Sequence, residues 1–214
     1  MSVSLPSGST LQIASAYGPA KAISALSNAN PAVASSAAHG FAASDIIELT
    51  SGWARLNNRI VRVGAAPVTD TFKLDGIDTS DSKLFAAGLG VGSARAVTSW
   101  LQIPQVLDFS TSGGDAKFAT FQFLESDEEQ QIPNGRSAMS IALKIADDPA
   151  LPCYPALRAA DASRKPTAIM LSLPNGGSVL YNSYVSFNET PELSQNNVMA
   201  VKVTLSLLGK ATRY

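Results

Sequence analysis

Apolar and polar residues alternate along most of this chain, and a period of two is the pattern of a β-strand with one buried face. One such run places on its apolar face Met139, Ile141, Leu143 and Ile145. The last long run buries Met199, Val201, Val203, Leu205 and Leu207. Its opposite face carries Ala200, Lys202, Thr204 and Ser206. The pattern predicts a mainly β fold, a sandwich or half-barrel, whose sheet has one face buried against the core and one face exposed to solvent.

Two further runs flank the sequence Pro-Asn-Gly-Gly at 174–177, which is a strong turn signal. The apolar positions before this turn are Ile169, Leu171 and Leu173. Those after it are Val179, Tyr181, Val185 and Phe187. Two alternating runs joined by such a turn predict a β-hairpin.

One short helix is predicted over 149–162, with Asp148 as its N-cap and Pro149 at its first position. Leu157 and Ala160 would face the core. Two prolines interrupt the first turns, Pro152 and Pro155, so the secure part of the helix begins near the second of them.

The segment 28–92 is a block of short strand candidates separated by turns rich in Gly and Asp. The candidates are 32–37, 45–49, 59–64 and 71–74. We interpret the block as an inserted small β-module, and 1–27 with 93–214 as the β core. Because no Gly-Ser linker flanks the block, we expect it to continue the main sheet.

Composition narrows the class of protein. Only 15% of the 214 residues are charged, against about 25% in typical soluble domains. Interfaces are depleted of charge, so we expect other subunits to cover much of this surface. The net charge of −1 gives no basic footprint for nucleic acid or a membrane surface. A single cysteine, no signal-peptide pattern and no apolar run near about 20 residues favour assembly in a reducing cytoplasm without membrane insertion.

Three features could carry chemistry and are interpreted as structural. His39 is the only histidine, and although Ser44 and Asp45 follow it, a turn role is favoured over a hydrolase site. Cys153 has no partner thiol or nearby histidine in sequence, so a buried apolar role is favoured. The Gly-rich segment 88–95 lacks the lysine of a phosphate-binding loop and is interpreted as a flexible connector.

Four carboxylates crowd into five positions between two apparent strands: Glu125, Asp127, Glu128 and Glu129. A calcium loop needs ligands at alternating positions and a nearby glycine, but the glycine here is Gly135. Glycosidase carboxylates belong on rigid strands around a cleft. We therefore favour a solvated loop, met by Arg136 or by a basic residue of another copy, over a metal cage or an active site.

The order of these elements carries a family resemblance over roughly 10–210. The segment "LPNGGSVLYNSYVSFNETPELSQNNVMAVKVTLSLLGK" resembles the end of the tail tube proteins of long-tailed, siphovirus-like phages. The upstream stretch "IPQVLDFSTSGGDAKFATFQFLESDEEQQIPNGRSAMSIALKI" is similar to that family's first core strand, long loop and paired strand. The block 28–92 is similar to a small β-module of phage tail proteins, also known as the first catalytic-cysteine half-domain of the ubiquitin-activating enzyme.

The resemblance implies a ring of six copies whose strands join in a continuous β-barrel, and rings that stack head to tail. It implies an inter-ring loop containing Glu125, Asp127, Glu128, Glu129, Gln130, Gln131 and Arg136. The candidate lumen face is Ala200, Lys202, Thr204 and Ser206. Double-stranded DNA would pass through the lumen without specific binding.

The expected function is that of a structural virion protein, assembled in the host cytoplasm, with no enzymatic activity, cofactor or metal. Its partners would be further copies, a tape-measure protein and terminator proteins. The alternatives are a tail terminator, another ring-forming tail protein, or the tube of a tailocin or gene-transfer particle. A carbohydrate- or receptor-binding β-sandwich is an alternative of another class, which would need Trp53 or Trp100 exposed on a platform.

Overall fold

The structure, a computed structural model, describes residues 7–193 and 195–214. Its first strands are β1 (Thr10–Tyr17), β2 (Lys21–Ile23), β3 (Ala25–Leu26), β4 (Val33–Ser35), β5 (Ile46–Ser51), β6 (Arg59–Arg62), β7 (Thr71–Lys73) and β8 (Gly92–Ile103). The later elements are β9 (Val106–Ser112), β10 (Ala116–Phe121), β11 (Gln130–Arg136), β12 (Ser140–Ala146), α1 (Cys153–Ser163), β13 (Thr167–Ser172), β14 (Ser178–Glu192), β15 (Ala200–Leu207) and β16 (Thr212–Arg213). The prediction of a mainly β chain with one short helix is confirmed.

The main sheet is antiparallel and has eleven strands, in the order β6-β5-β8-β1-β13-β14-β15-β12-β9, with β16 beside β14 and β2 beside β8. Only Pro104 and Gln105 separate β8 from β9 in the chain, although the two strands are far apart in the sheet order. The sheet must therefore curl until β9 returns beside the end of β8. This curled half-barrel agrees with the predicted fold class.

The concave side of the curled sheet holds the first hydrophobic core. The alternating residues of the last strands point into it, including Ile141, Leu143, Ile145, Val201, Val203 and Leu205. The helix α1 fills the concavity with Cys153, Tyr154, Leu157 and Ala160, all of which except Tyr154 were predicted to be buried. Each fully buried aliphatic side chain contributes about 1.5–3 kcal/mol of hydrophobic stabilisation. The hairpin predicted around the Pro-Asn-Gly-Gly turn is β13–β14.

The segment 28–92 packs around a second hydrophobic core, which includes Phe41, Leu49, Trp53 and Phe72. Its four strand candidates are observed as β4, β5, β6 and β7. Strands β3, β4 and β7 form a separate small sheet, whereas β5 and β6 extend the main sheet through β8. The boundaries of an inserted module stay a prediction.

Three local expectations were wrong. The helix begins at Cys153 with Pro152 at its N-cap, because Asp148 closes a separate turn in which its carbonyl accepts the N–H of Leu151. Met199 is 51% exposed, since it precedes β15. The connector predicted at 88–95 includes the start of β8, where a side chain on Gly92 would approach the carbonyl oxygen of Thr50 to 2.0 Å.

Candidate assembly and channel surfaces

The acidic segment is the tip of a separate β-hairpin. Strands β10 and β11 pair with each other, with Ala119 opposite Ile132, and among the described residues neither forms a ladder with the main sheet. All seven residues of β11 are exposed. The carboxylates of Glu125, Asp127, Glu128 and Glu129 are exposed in the connection between the two strands. Gln130, Gln131 and Arg136, predicted to lie in a loop, are instead residues of β11.

No basic side chain of the described residues forms an ion pair with these four carboxylates. The guanidinium of Arg136 donates to the carbonyl oxygen of Gly114 at 3.1 Å, at the base of the hairpin and away from its tip. The amide of Gln122 donates to the carbonyl oxygen of Ser126 at 2.8 Å, which closes the tip turn. The hairpin thus presents four negative charges in a turn that is closed by a hydrogen bond, and Arg136 does not neutralise them.

Apolar side chains on the same hairpin are also exposed. The exposed fractions are 54% for Phe118, 50% for Phe123, 107% for Leu124 and 56% for Ile132. A two-stranded hairpin is marginally stable by itself in water, and exposed apolar groups rimmed by charge mark interaction surfaces. The hairpin therefore has the composition of a docking arm.

A second surface is the convex side of β9, β12, β15 and β14, which we call the polar face. Cross-strand pairing places its residues in three rows: Asp108, Lys144, Lys202 and Asn188; Ser110, Ala142, Thr204 and Ser186; Ser112, Ser140, Ser206 and Tyr184. Lys202 and Ser206 are exposed and Thr204 is partly buried, whereas Ala200 at the start of β15 is buried. Half of the twelve residues of the polar face thus carry small hydroxyl-bearing side chains.

One lysine of the charged row is paired with Glu192, which lies in the neighbouring row opposite Ala200. The Lys144 ammonium donates to the Glu192 carboxylate at 2.8 Å, and both side chains are about half exposed. Glu192 raises the pKa of Lys144, with a further contribution from Asp108. Lys144, with a smaller effect of Lys202, lowers the pKa of Glu192.

The outer edge of β9 is open. This strand pairs with β12 on one side, and within residues 7–193 and 195–214 no strand pairs with its other side. Leu107 is 52% exposed there and lines a groove of about 820 Å³ together with residues of β1, β8 and β13. At the opposite end of the sheet, the chain after β6 bonds to β7, since the N–H of Gly64 donates to the carbonyl oxygen of Lys73 at 2.8 Å. The half-barrel therefore has one edge ready for further strand pairing.

Two of the residues considered for catalysis, His39 and Cys153, are buried. His39 is 3% exposed, its Nδ1 accepts the N–H of Phe41 at 2.9 Å, and its Nε2 is 2.6 Å from the carbonyl oxygen of Val68, to which it donates. The Asp45 carboxylate accepts the N–H of Ala42. Burial raises the pKa of the Cys153 thiol, which disfavours the nucleophilic thiolate.

Trp53 is also buried, and its indole N–H donates to the carbonyl oxygen of Ala86 at 2.7 Å. Trp100 is partly buried beside a small core that contains Ile60 and Leu180. Neither tryptophan forms an exposed platform. The described ranges contain no group of three or more His, Cys, Asp or Glu side chains suited to hold a metal ion. In the same part of the chain, no helix has the length and apolar character needed to span a membrane.

The lumen face predicted from the sequence contains only residues of β15, whereas the polar face also includes residues of β9, β12 and β14. The small or polar positions of "SIALKIA" in β12 were the available signal, because they alternate with buried residues as in β15, whereas β9 has no buried residue to alternate with. Glu192 gave no such signal, since its approach to Lys144 depends on the folding of β14 beside β15.

Comparison with known proteins gives one family match. Residues 51–214 match the family model described as phage tail tube protein, TTP. Among solved structures, the chain is similar to a chain in the cryo-EM structure of the anti-feeding prophage baseplate, at 10% identity and a TM-score of 0.38, covering 55% of this chain and 85% of that one. It is also similar to a chain in the cryo-EM structure of the anti-feeding prophage cap, at 20% identity and a TM-score of 0.36, covering 53% and 81%. No curated protein matches the sequence.

Proposed function

We propose, from the premise that this chain belongs to the phage tail tube protein family, that it polymerises as stacked hexameric rings into a hollow tail tube through which the genome passes. The chain is a structural component of a phage tail. Its proposed partners are further copies of itself, a tape-measure protein and terminator proteins. We propose no catalytic role and no cofactor, and assembly in the host cytoplasm before incorporation into the virion.

The open edge of β9 is the observation that carries the proposal. An exposed strand edge offers a row of unpaired backbone N–H and C=O groups, which leads to uncontrolled pairing unless another element covers it. Closing a sheet into a barrel removes its edges. In the proposed ring, each copy completes the sheet of its neighbour at β9, where Leu107 and the adjacent groove give the incoming segment an apolar contact.

The hairpin β10–β11 supports stacking of the rings. Its tip combines exposed apolar residues with the four unpaired carboxylates, so it suits a partner surface that supplies basic side chains. An arm on one surface that binds a different surface of the next copy makes a head-to-tail contact, and such contacts propagate without closing. In this proposal, Glu125, Asp127, Glu128 and Glu129 face the adjacent ring.

The polar face is the proposed wall of the lumen. Strong nucleic-acid binding comes from lysines and arginines that neutralise phosphates and release counterions. A wall of serine and threonine side chains with a paired charged row offers DNA few such contacts, so DNA slides instead of binding. In this arrangement Lys202, Thr204 and Ser206 line the channel, and Ala200 lies at the buried start of the same strand face.

Electron microscopy of the purified, concentrated full chain tests the proposal. We expect hollow tubes or six-fold rings in negative stain, with sedimentation velocity showing a concentration-dependent shift from monomers to large assemblies. Single rings that never stack would favour a tail terminator. Dispersed monomers at every concentration would contradict the proposal.

A further inference from the structure

We infer that Glu192 and Asp108 are built-in counterions that prevent Lys144 and Lys202 from holding DNA on the polar face. The inference rests on the proposed conduit function and names the residues that make the channel wall inert. It concerns the charged row of the face, across β9, β12 and β15, and Glu192 at the adjoining end of β14.

The two lysines form a potential phosphate-binding pair. Lys144 of β12 lies directly opposite Lys202 of β15 in the ladder. Directly opposed residues have Cβ atoms about 4.5–5.5 Å apart, and like charges in this arrangement repel. Two adjacent ammonium groups on an otherwise small, polar surface are suited to bind the DNA backbone, which would hinder its passage.

Two carboxylates lie beside these lysines. Asp108 is opposite Lys144 on the other neighbouring strand, β9. The Glu192 carboxylate accepts a hydrogen bond from the Lys144 ammonium at 2.8 Å. With both carboxylates ionised and both lysines protonated, the charges of this group cancel.

An irregularity in the ladder places Glu192 there. Asn188 lies opposite Lys202, so regular pairing would bring Thr190 opposite Ala200, but a register shift brings Glu192 to that position instead. Lys144, Glu192 and Ala200 then line one small cleft of about 320 Å³. The local distortion of the strand thus supplies a carboxylate where regular pairing would supply a hydroxyl group.

Stability alone does not account for this pairing. Exposed ion pairs contribute little to the free energy of folding, and both partners here are about half exposed. The pair does change the electrostatic potential of the surface. Lys144 and Lys202 both lower the pKa of Glu192, so its carboxylate stays ionised beside them. The main consequence of the pair is that this group of charges on the polar face has no net positive charge.

The test compares DNA binding by four full-length proteins: the wild type, E192Q, the double variant D108N/E192Q, and E189Q. The matched control is E189Q, because Glu189 lies on the same strand and pairs with Arg158 of α1 at 2.6 Å, with similar exposure but on the concave side. Binding of labelled duplex DNA is measured by fluorescence anisotropy over a salt series of about 50–200 mM. Thermal unfolding verifies that each variant is folded.

We expect no binding above background by the wild type or E189Q. E192Q should gain salt-sensitive binding at least about tenfold above background, and D108N/E192Q should bind more tightly, with a salt slope steeper by about 0.9 for each additional phosphate contact. Adding K144M to E192Q should return binding to background, because it removes the ammonium group that E192Q leaves without its carboxylate partner.

Two results would overturn the inference and leave the tube proposal intact: E192Q and D108N/E192Q remaining at background while forming normal tubes, or E192Q and E189Q gaining binding equally. Strong binding by the wild type itself would instead contradict the inert conduit. Should E192Q fail to fold, D108N alone provides the comparison, because Asp108 lies opposite Lys144; a folded D108N that gains no salt-sensitive binding over the wild type would also overturn the inference.

Discussion

Glu48 is the buried charge that joins two distant parts of the main sheet. Only 5% exposed, it forms an ion pair with Arg95 of β8 and accepts a hydrogen bond from the side-chain amide of Asn182 of β14 at 3.0 Å. The guanidinium of Arg95 lies 4.1 Å from the centroid of the Tyr17 ring, a cation–π arrangement. The Tyr17 hydroxyl in turn accepts the N–H of Ala168 at 2.8 Å. These contacts fix the curl of the sheet at its centre.

Alkaline unfolding provides a test of this cluster. Burial is the largest cause that raises the pKa of Tyr17 from 10.0 to about 12, with the Glu48 carboxylate adding to the shift. Above pH 10 the unfolded chain loses the phenolic proton while the folded chain keeps it, so stability is complete below pH 10 and falls until about pH 12. The contribution lost is at most about 3 kcal/mol. We expect Y17F to flatten this part of the stability curve.

Urea unfolding of the wild type and Y17F across this pH range measures the effect. At neutral pH, Y17F should itself cost about 1–3 kcal/mol, because the N–H of Ala168 loses its acceptor. Y184F, which removes a tyrosine that is 43% exposed, controls for the loss of one phenol. If the unfolding free energies of the wild type and Y17F fall equally between pH 10 and about pH 12, the Tyr17 hydroxyl does not titrate as its burial requires.

At the scale of elements, the hairpin β10–β11 differs from the strands around it because no other strand of the main sheet pairs with it. The main-sheet strands were predictable because burial of one face imposes alternation, as in Ile141, Leu143 and Ile145. Strand β11, with the sequence Gln-Gln-Ile-Pro-Asn-Gly-Arg, has few residues that favour strands and no buried face. A pattern that reports burial cannot reveal a strand that is exposed in the single chain.

Neutralising the hairpin tip should separate folding from stacking. The variant E125Q/D127N/E128Q/E129Q removes four exposed charges that have no ion-pair partner among the described residues, so we expect a change in unfolding free energy within about 0.5 kcal/mol. If the tip meets basic side chains of an adjacent ring, the variant should form shorter tubes or isolated rings. Tube length in negative stain and thermal unfolding are the two measurements.

D115N is the control for this variant, because Asp115 is an exposed carboxylate at the base of the same hairpin. The length of wild-type tubes should also fall with rising salt, since screening weakens contacts between exposed charges. Tubes of normal length from the neutralised variant would exclude the carboxylates from the stacking contact.

Pairing between distant strands accounts for most of what the sequence could not predict about the polar face. Alternation correctly placed Lys202, Thr204 and Ser206 on one side of β15. It could not place Lys144 opposite Lys202, because that contact depends on the register of two strands far apart in the chain, and a slip of one residue moves every side chain to the other face. The approach of Glu192 to Lys144 depends in addition on the irregularity in β14.

At the scale of the whole molecule, two large cores, a small third one and one continuous sheet of eleven strands form a body with an open side. The first core lies within the curled sheet, and the second lies under the segment 28–92. The open side is the β9 edge, where Leu107 is exposed beside the groove. The low charged fraction of 15% agrees with a surface that other copies cover, because interfaces are depleted of charged residues.

A charge placed on the β9 edge tests whether this side is where copies join. L107K puts an ammonium group on an edge residue that is 52% exposed, so the isolated chain should keep its unfolding temperature. Lysines on strand edges prevent edge-to-edge pairing because pairing would bury the charge. We therefore expect L107K to remain monomeric in sedimentation velocity at concentrations where the wild type assembles. L84K is the matched control, since Leu84 is 48% exposed and lies outside the strands, and it should assemble normally. Normal rings from L107K would contradict the joining of copies at β9, because the proposed contact places an apolar segment of the neighbour against residue 107 in the groove.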